Sequence, residues 1–159
     1  LIDAPGREYL LKKALENVRK DFDYLFIDCP PSLGLLTVNG LVAADEAIIP
    51  LQCEYFAMEG LAMLVNTVRS VKKSFNKSLY IEGLVLTMFD KRNNLSWQVE
   101  EDVRDNLKGL VYQSVIPRSV KLSEAPSYGK SIFDYSPRSK GAFAYKALAL
   151  EILSRHEVN

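Results

Sequence analysis

The run Tyr24-Leu25-Phe26-Ile27-Asp28-Cys29-Pro30-Pro31-Ser32-Leu33-Gly34 constrains this chain more than any other. Four apolar residues, aromatic and β-branched among them, read as a buried strand over 24–27. Two prolines and a glycine follow, so the chain must leave the sheet there. The strand therefore carries one carboxylate, Asp28, to the carboxyl edge of a sheet, where open α/β folds bind ligands. An acid in that place either caps the next helix or holds the magnesium of a nucleotide, and position alone leaves both readings open.

Helical and extended patterns alternate along the rest of the chain. Leu10, Leu11, Ala14, Leu15 and Val18 recur at helical spacing before the 24–27 strand. A short helix is expected over 35–43, then a strand over 47–51. Leu61, Leu64, Val65, Val68, Val71 and Phe75 mark an amphipathic helix. A strand over 81–89, a helix through Leu95, Val99, Val103 and Leu107, a strand over 111–116 and a closing helix through Tyr145 to Leu153 complete the series. Continuous apolar strands separated by helices imply an α/β fold with a mostly parallel sheet covered on both faces. No repeat or linker interrupts the pattern, so residues 1–159 read as a single domain. The stretch 118–139 breaks the alternation and reads as loop with one short helical turn, long enough to be functional.

Composition removes several classes of chemistry. The only histidine is His156, near the C-terminus, which nearly excludes His-based triads, His-rich zinc sites and general-base histidines. Cys29 and Cys53 form no CxxC and read as reduced thiols. No apolar run reaches membrane-spanning length, and no signal peptide is apparent. Leu1-Ile2-Asp3 runs straight into a helical pattern and reads as a cut or processed boundary. Basic and acidic residues number 20 each, so bulk charge names no partner.

Local charge is less even. From Arg118 to Lys146 stand six basic residues (Arg118, Lys121, Lys130, Arg138, Lys140, Lys146) against Glu124 and Asp134, with Tyr128, Phe133 and Tyr135 interleaved. Such a face is either solvated surface or a surface that neutralises DNA phosphates without reading sequence; Lys91 and Arg92 would join it. Thr87-Met88-Phe89-Asp90 and Ile116-Pro117-Arg118 close two strands on the sheet edge expected for Asp28. They are plain strand ends or the lining of a base and ribose pocket. The one Gly-Lys-Ser, at 129–131, is no phosphate loop: position 124 is Glu where glycine is required, and no strand precedes it.

From Tyr24 to Gly34 the chain resembles the ParA/Soj family of chromosome- and plasmid-partitioning ATPases. The resemblance continues through Leu36-Thr37-Val38-Asn39, Ala43-Ala44-Asp45, Ile49-Pro50-Leu51-Gln52-Cys53-Glu54-Tyr55 and Met58-Glu59-Gly60-Leu61. It includes Leu86 to Asp90, Val115 to Arg118, Leu122 to Ser127 and Tyr135 to Ala142, nearly the whole chain. It implies a P-loop NTPase-type three-layer α/β/α fold, ATP and magnesium as cofactors, a nucleotide-dependent homodimer, non-specific DNA binding and a ParB-type activating partner. The implied location is cytoplasmic and nucleoid-associated, without a membrane. By position, Asp28 resembles the Walker-B acid that meets magnesium through water. Cys29, Pro30, Pro31, Ser32 and Gly34 fall in the segment that answers the γ-phosphate. Thr87, Met88, Pro117 and Arg118 fall at adenine and ribose. Arg92 and Lys121 match DNA-contacting basic positions, with Lys130, Arg138 and Lys140 on the same basic stretch.

The resemblance also implies what is missing. In the family the Walker-A loop lies about a hundred residues before the Walker-B strand, and here only 27 residues precede Asp28. The chain thus reads as the C-terminal part of a ParA-type nucleotide-binding domain, without the P-loop strand that would lie beside 24–27. Lysines that stabilise transferring phosphate go with that loop. The expectation is a parent ATPase whose present portion does not hydrolyse ATP alone. The alternatives are a non-catalytic DNA- or partner-binding module and, last, a MinD-like cell-division ATPase. The latter's basic amphipathic terminal helix is not matched by Leu153 to Asn159.

Overall fold

The computed structural model describes residues 5–30 and 34–157. In chain order these form α1 (Leu10–Leu15), α2 (Leu35–Ala43), β1 (Glu46–Gln52), α3 (Ala57–Ser74), β2 (Tyr80–Phe89), α4 (Asn94–Asn106), β3 (Val111–Pro117), α5 (Val120–Glu124), α6 (Ile132–Tyr135) and α7 (Lys140–Glu157). Short 3-10 turns cover Arg7–Tyr9, Val18–Lys20 and Ala125–Tyr128. The strands form one sheet in the order β1-β2-β3, and β2 runs parallel to β3.

Two compact units divide the chain. The first comprises residues 1–47 and 59–82. Leu41 and Val42 of α2 meet Val68 and Val71 of α3 and Leu79, with Tyr9, Val38 and Ile81 packed around them. α3 is amphipathic as expected, burying Leu61, Val68 and Val71 along one face. α2 ends without a glycine, so its last carbonyls need partners from elsewhere. Buried Asn76 supplies them, its amide donating to the carbonyls of Leu41 (3.0 Å), Val42 (3.3 Å) and Ala44 (2.7 Å). Buried Asn39 works at the other end of the helix. Its Nδ2 donates to the carbonyls of Arg7 (2.9 Å) and Leu35 (3.0 Å), and its Oδ1 accepts from the Leu11 N–H (3.2 Å).

The second unit comprises residues 48–58 and 83–159. Its core joins Val85, Tyr112, Ile116 and Leu148, with Ile48, Leu122, Ala144 and Ile152 packed against them. A Cβ at Gly83 would stand 2.6 Å from the Tyr112 ring and 3.0 Å from the Leu110 carbonyl, so this position takes no side chain without a shift. The Arg155 guanidinium lies 3.9 Å over the same ring. Register along β2 and β3 slips twice. Between Leu84↔Val111 and Leu86↔Val115, β3 carries two extra residues, and Glu151 of α7 accepts the N–H of Gln113 (2.7 Å) and Ser114 (2.9 Å) there. A carboxylate thus occupies donors that the slipped strand cannot offer to β2. Between Leu86↔Val115 and Phe89↔Pro117, β2 carries the extra residue.

Two expectations are corrected. Residues 24–27 form no strand: the segment has no regular secondary structure and lies outside the sheet, with Tyr24, Leu25 and Phe26 exposed at 42%, 38% and 80%. Apolar content favours a strand only where a neighbouring strand accepts its backbone, and no described strand lies alongside. Only Ile27 and Cys29 turn inward, against Gly40, where a Cβ would come 2.6 Å from the Cys29 Sγ. The stretch 118–139, expected as loop with one helical turn, holds α5, a 3-10 turn and α6 in succession. Gly129 at φ +60° ends the 3-10 turn, and Ser131 caps α6 by accepting the Asp134 N–H (3.2 Å). Gly129-Lys130-Ser131 is therefore a turn and a cap, as its sequence context implies.

Candidate functional site

Asp28 stands exposed on the irregular segment of the first unit, with half-buried residues on either side. Burial, and then the adjacent Asp28 charge, raise the Cys29 thiol above its ordinary pKa, so Cys29 stays protonated at neutral pH. The Pro30 carbonyl accepts the Thr37 hydroxyl (3.3 Å), and Gly34 begins α2 in extended geometry. Pro31 and Ser32 of the switch segment lie outside the described residues. Among the described residues no group of three or more His, Cys, Asp or Glu side chains could hold a metal. Magnesium keeps several waters and uses one or two carboxylates with phosphate oxygens rather than a protein cage. A lone exposed carboxylate fits one flank of such an ion, with nucleotide oxygens and waters supplying the remaining ligands.

In the second unit the structure gathers five of the sequence-derived residues at the carboxyl ends of β2 and β3. The extra residue in β2 falls next to Met88, whose φ of +54° makes it the one non-glycine residue with positive φ among those described. A left-handed conformation at a side chain of this size costs about 1–3 kcal/mol and clusters at ligand sites. Thr87 and Met88 are half-buried, and the Thr87 carbonyl accepts the Cys53 N–H (3.1 Å). Pro117 is the register partner of Phe89, whose carbonyl accepts the Arg118 N–H (2.9 Å). Arg118 faces Glu54 at 3.6 Å.

Arg92 stands on the turn that follows. Its guanidinium forks onto Asp90, Nε to Oδ1 (3.1 Å) and Nη2 to Oδ2 (3.0 Å), and its own N–H reaches Oδ1 (3.0 Å). The Arg92 fork first, and then its backbone N–H, hold the Asp90 carboxyl down at about 2. The turn is pinned further by Trp97, whose indole N–H reaches the Lys91 carbonyl (3.0 Å) and whose ring meets Phe89 edge-on.

Lys121 on α5 also has a carboxylate partner, Glu124 (2.9 Å). Lys130, Arg138 and Lys140 are exposed and make no ion pair among the described residues. Arg92, Arg118 and Lys121 therefore stand beside acids, whereas Lys130, Arg138 and Lys140 are free to meet an anion. The sequence reading missed Glu54, Asp90 and Glu124 as partners. For Glu124 the signal was present, because a Lys–Glu spacing of three residues brings the pair together on a helix. For Glu54 there was none, since 64 residues separate it from Arg118.

Comparison with known proteins supplies a wider frame. A family model described as an AAA domain matches residues 1–81. The sporulation initiation inhibitor protein Soj of Bacillus subtilis is 56% identical over 152 residues, 96% of this chain and 60% of that protein. The chromosome partitioning protein ParA of Myxococcus xanthus is 50% identical over 155 residues, 98% of this chain and 55% of that protein. Among solved structures, cobyrinic acid a,c-diamide synthase of Mycobacterium smegmatis with bound ADP and magnesium superposes with TM-score 0.76 at 40% identity, over 94% of this chain and 55% of that one. The Pyrococcus furiosus cell division ATPase MinD gives TM-score 0.75 at 25% identity, over 92% and 58%. The fold is thus of the three-layer α/β/α class of these P-loop ATPases. The chain spans between 55% and 60% of the length of these four proteins.

Proposed function

Because the chain belongs to the AAA-domain family, with Soj and ParA partitioning proteins as homologues over nearly its whole length, we propose that it is the C-terminal part of an ATP-dependent DNA-segregation ATPase. The observation that carries this reading is the 56% identity to Soj across 96% of the chain. Asp28 is its Walker-B acid, turned to magnesium through water, and residues 29–34 respond to the γ-phosphate. Thr87, Met88, Pro117 and Arg118 border adenine and ribose; the strained Met88 beside the paired strand ends supports that assignment. The basic stretch binds duplex DNA without sequence preference, a ParB-type partner stimulates turnover, and the nucleotide-bound protein dimerises at the nucleoid. In this reading residues 1–159 form one part of a single nucleotide-binding domain.

Residues 1–159 contain no glycine-rich phosphate cradle, so they do not turn over ATP by themselves. That same fact favours, as a second reading, a non-catalytic module that keeps a DNA or partner surface. Asp28→Ala in the protein expressed from its complete reading frame separates the two. On the first reading magnesium-dependent ATP hydrolysis disappears while the far-UV circular dichroism spectrum is kept. Turnover equal to the parent's would remove Asp28 from the metal site, and a parent without any turnover would favour the module.

A further inference from the structure

The stretch 118–139 places four side chains in one connected network. Lys121 Nζ donates to Glu124 Oε2 (2.9 Å), and the Tyr135 hydroxyl donates to the same oxygen (2.9 Å). Lys121 Nζ also lies 5.5 Å from the centroid of the Tyr135 ring. Tyr135 is in turn stacked on Tyr128, ring centroids 5.1 Å apart and planes 22° from parallel. All of this sits at the surface: the Lys121 and Glu124 side chains keep 53% and 37% of their exposure, and Tyr128 keeps 65%. We propose that Glu124 is a built-in competitor for phosphate, occupying Lys121 in the free protein and yielding it when the backbone of duplex DNA arrives. The inference rests on the reading of this surface as the DNA-binding face.

Three features make Glu124 the acid suited to exchange. An exposed ion pair is weak enough to be traded for a phosphate contact. Glu124 has a second partner, so release of the lysine leaves its carboxylate on the Tyr135 hydroxyl rather than stranded. Stacking against Tyr128 holds the Tyr135 ring, so that anchor persists whichever anion Lys121 faces. Asp90 is different, because its Oδ1 also takes the Arg92 backbone N–H and shapes the turn. The exchange gives the basic face a threshold. Lys130, Arg138 and Lys140 meet phosphate at no internal cost, and Lys121 adds its contact only against a competing carboxylate.

The test uses the full-length protein and a short fluorescein-labelled duplex, with binding read by anisotropy at fixed salt. Glu124→Gln keeps an oxygen for Tyr135 and removes the charge, so affinity should rise about two- to fivefold, the range expected for freeing one exposed pair. In a Lys121→Ala background the same substitution should change affinity by less than that, because no lysine remains to be released. Circular dichroism confirms that each variant is folded. Equal tightening in both backgrounds would reduce Glu124 to a general charge effect and overturn the proposal. Weaker binding by Glu124→Gln, or no change in it, while Lys121→Ala still loses affinity, would overturn the proposal and leave the surface reading standing. Lys121→Ala with unchanged affinity would instead remove Lys121 from the DNA face and take the proposal with it.

Discussion

Glu151→Gln probes the place where one α7 side chain substitutes for a sheet partner. Glu151 offers both oxygens to consecutive amides of β3, 2.7 Å from the Gln113 nitrogen and 2.9 Å from the Ser114 nitrogen, and its side chain keeps 20% exposure. Glutamine retains one acceptor and turns an NH₂ toward the other amide. One charge-assisted bond is lost and one donor is left facing a donor, a cost of about 2–3 kcal/mol. For a domain of this size that lowers the melting temperature by roughly 4–10 °C. Amide exchange at Gln113 and Ser114 is the local readout, and it should accelerate by about thirtyfold or more where opening is limited by this contact. Burial raises the Glu151 carboxyl, but the Gln113 and Ser114 amides outweigh it and leave the group below its ordinary pKa. A depressed folded value means the stabilisation is complete above the unfolded value of about 4.3 and is lost as pH falls through the folded one. The gap between parent and Glu151→Gln should thus be widest near neutrality and close in acid. A variant that melts within a degree of the parent with unchanged exchange at both amides would refute the reasoning, as would a gap that persists below the folded pKa.

Asn76→Ala strands the carbonyls of Leu41, Val42 and Ala44 at the end of α2, and chemical denaturation should show a loss of about 1–3 kcal/mol. An unchanged denaturation midpoint would mean that water replaces the amide. Cys53 is 2% exposed, and burial lifts its thiol to about 11, so a thiol reagent at pH 8 should leave it unmodified until denaturant is added. Rapid labelling of Cys53 in the folded protein would contradict its placement. Trp97 is the only tryptophan and is bonded to the Lys91 carbonyl beside Arg92. Duplex DNA should therefore shift its emission, and saturating DNA without a spectral change would place the binding face elsewhere.

Much of the fold was legible in the residues. The amphipathic period through Leu61 to Phe75 and the apolar runs ending at Leu51, Phe89 and Ile116 gave their elements to within a few residues, because period and apolar content are local properties. The specific strings around Asp28 and Pro117 were enough to reveal a resemblance to partitioning proteins such as Soj, to which the chain is 56% identical. Other features belong to contacts between distant residues. The amide of Asn76 on the end of α2, Glu151 at the slipped register of β3, and Glu54 beside Arg118 join positions 32 to 64 residues apart, which no local pattern encodes. The left-handed turn at Met88 arises from a one-residue slip against β3, so it too appears only with the strands paired. The run from Tyr24 to Asp28 draws the boundary between the two. Its residues determine that it is apolar and that it ends in an acid. Whether it becomes a strand is decided by a neighbour for its backbone, which the sheet β1-β2-β3 does not provide.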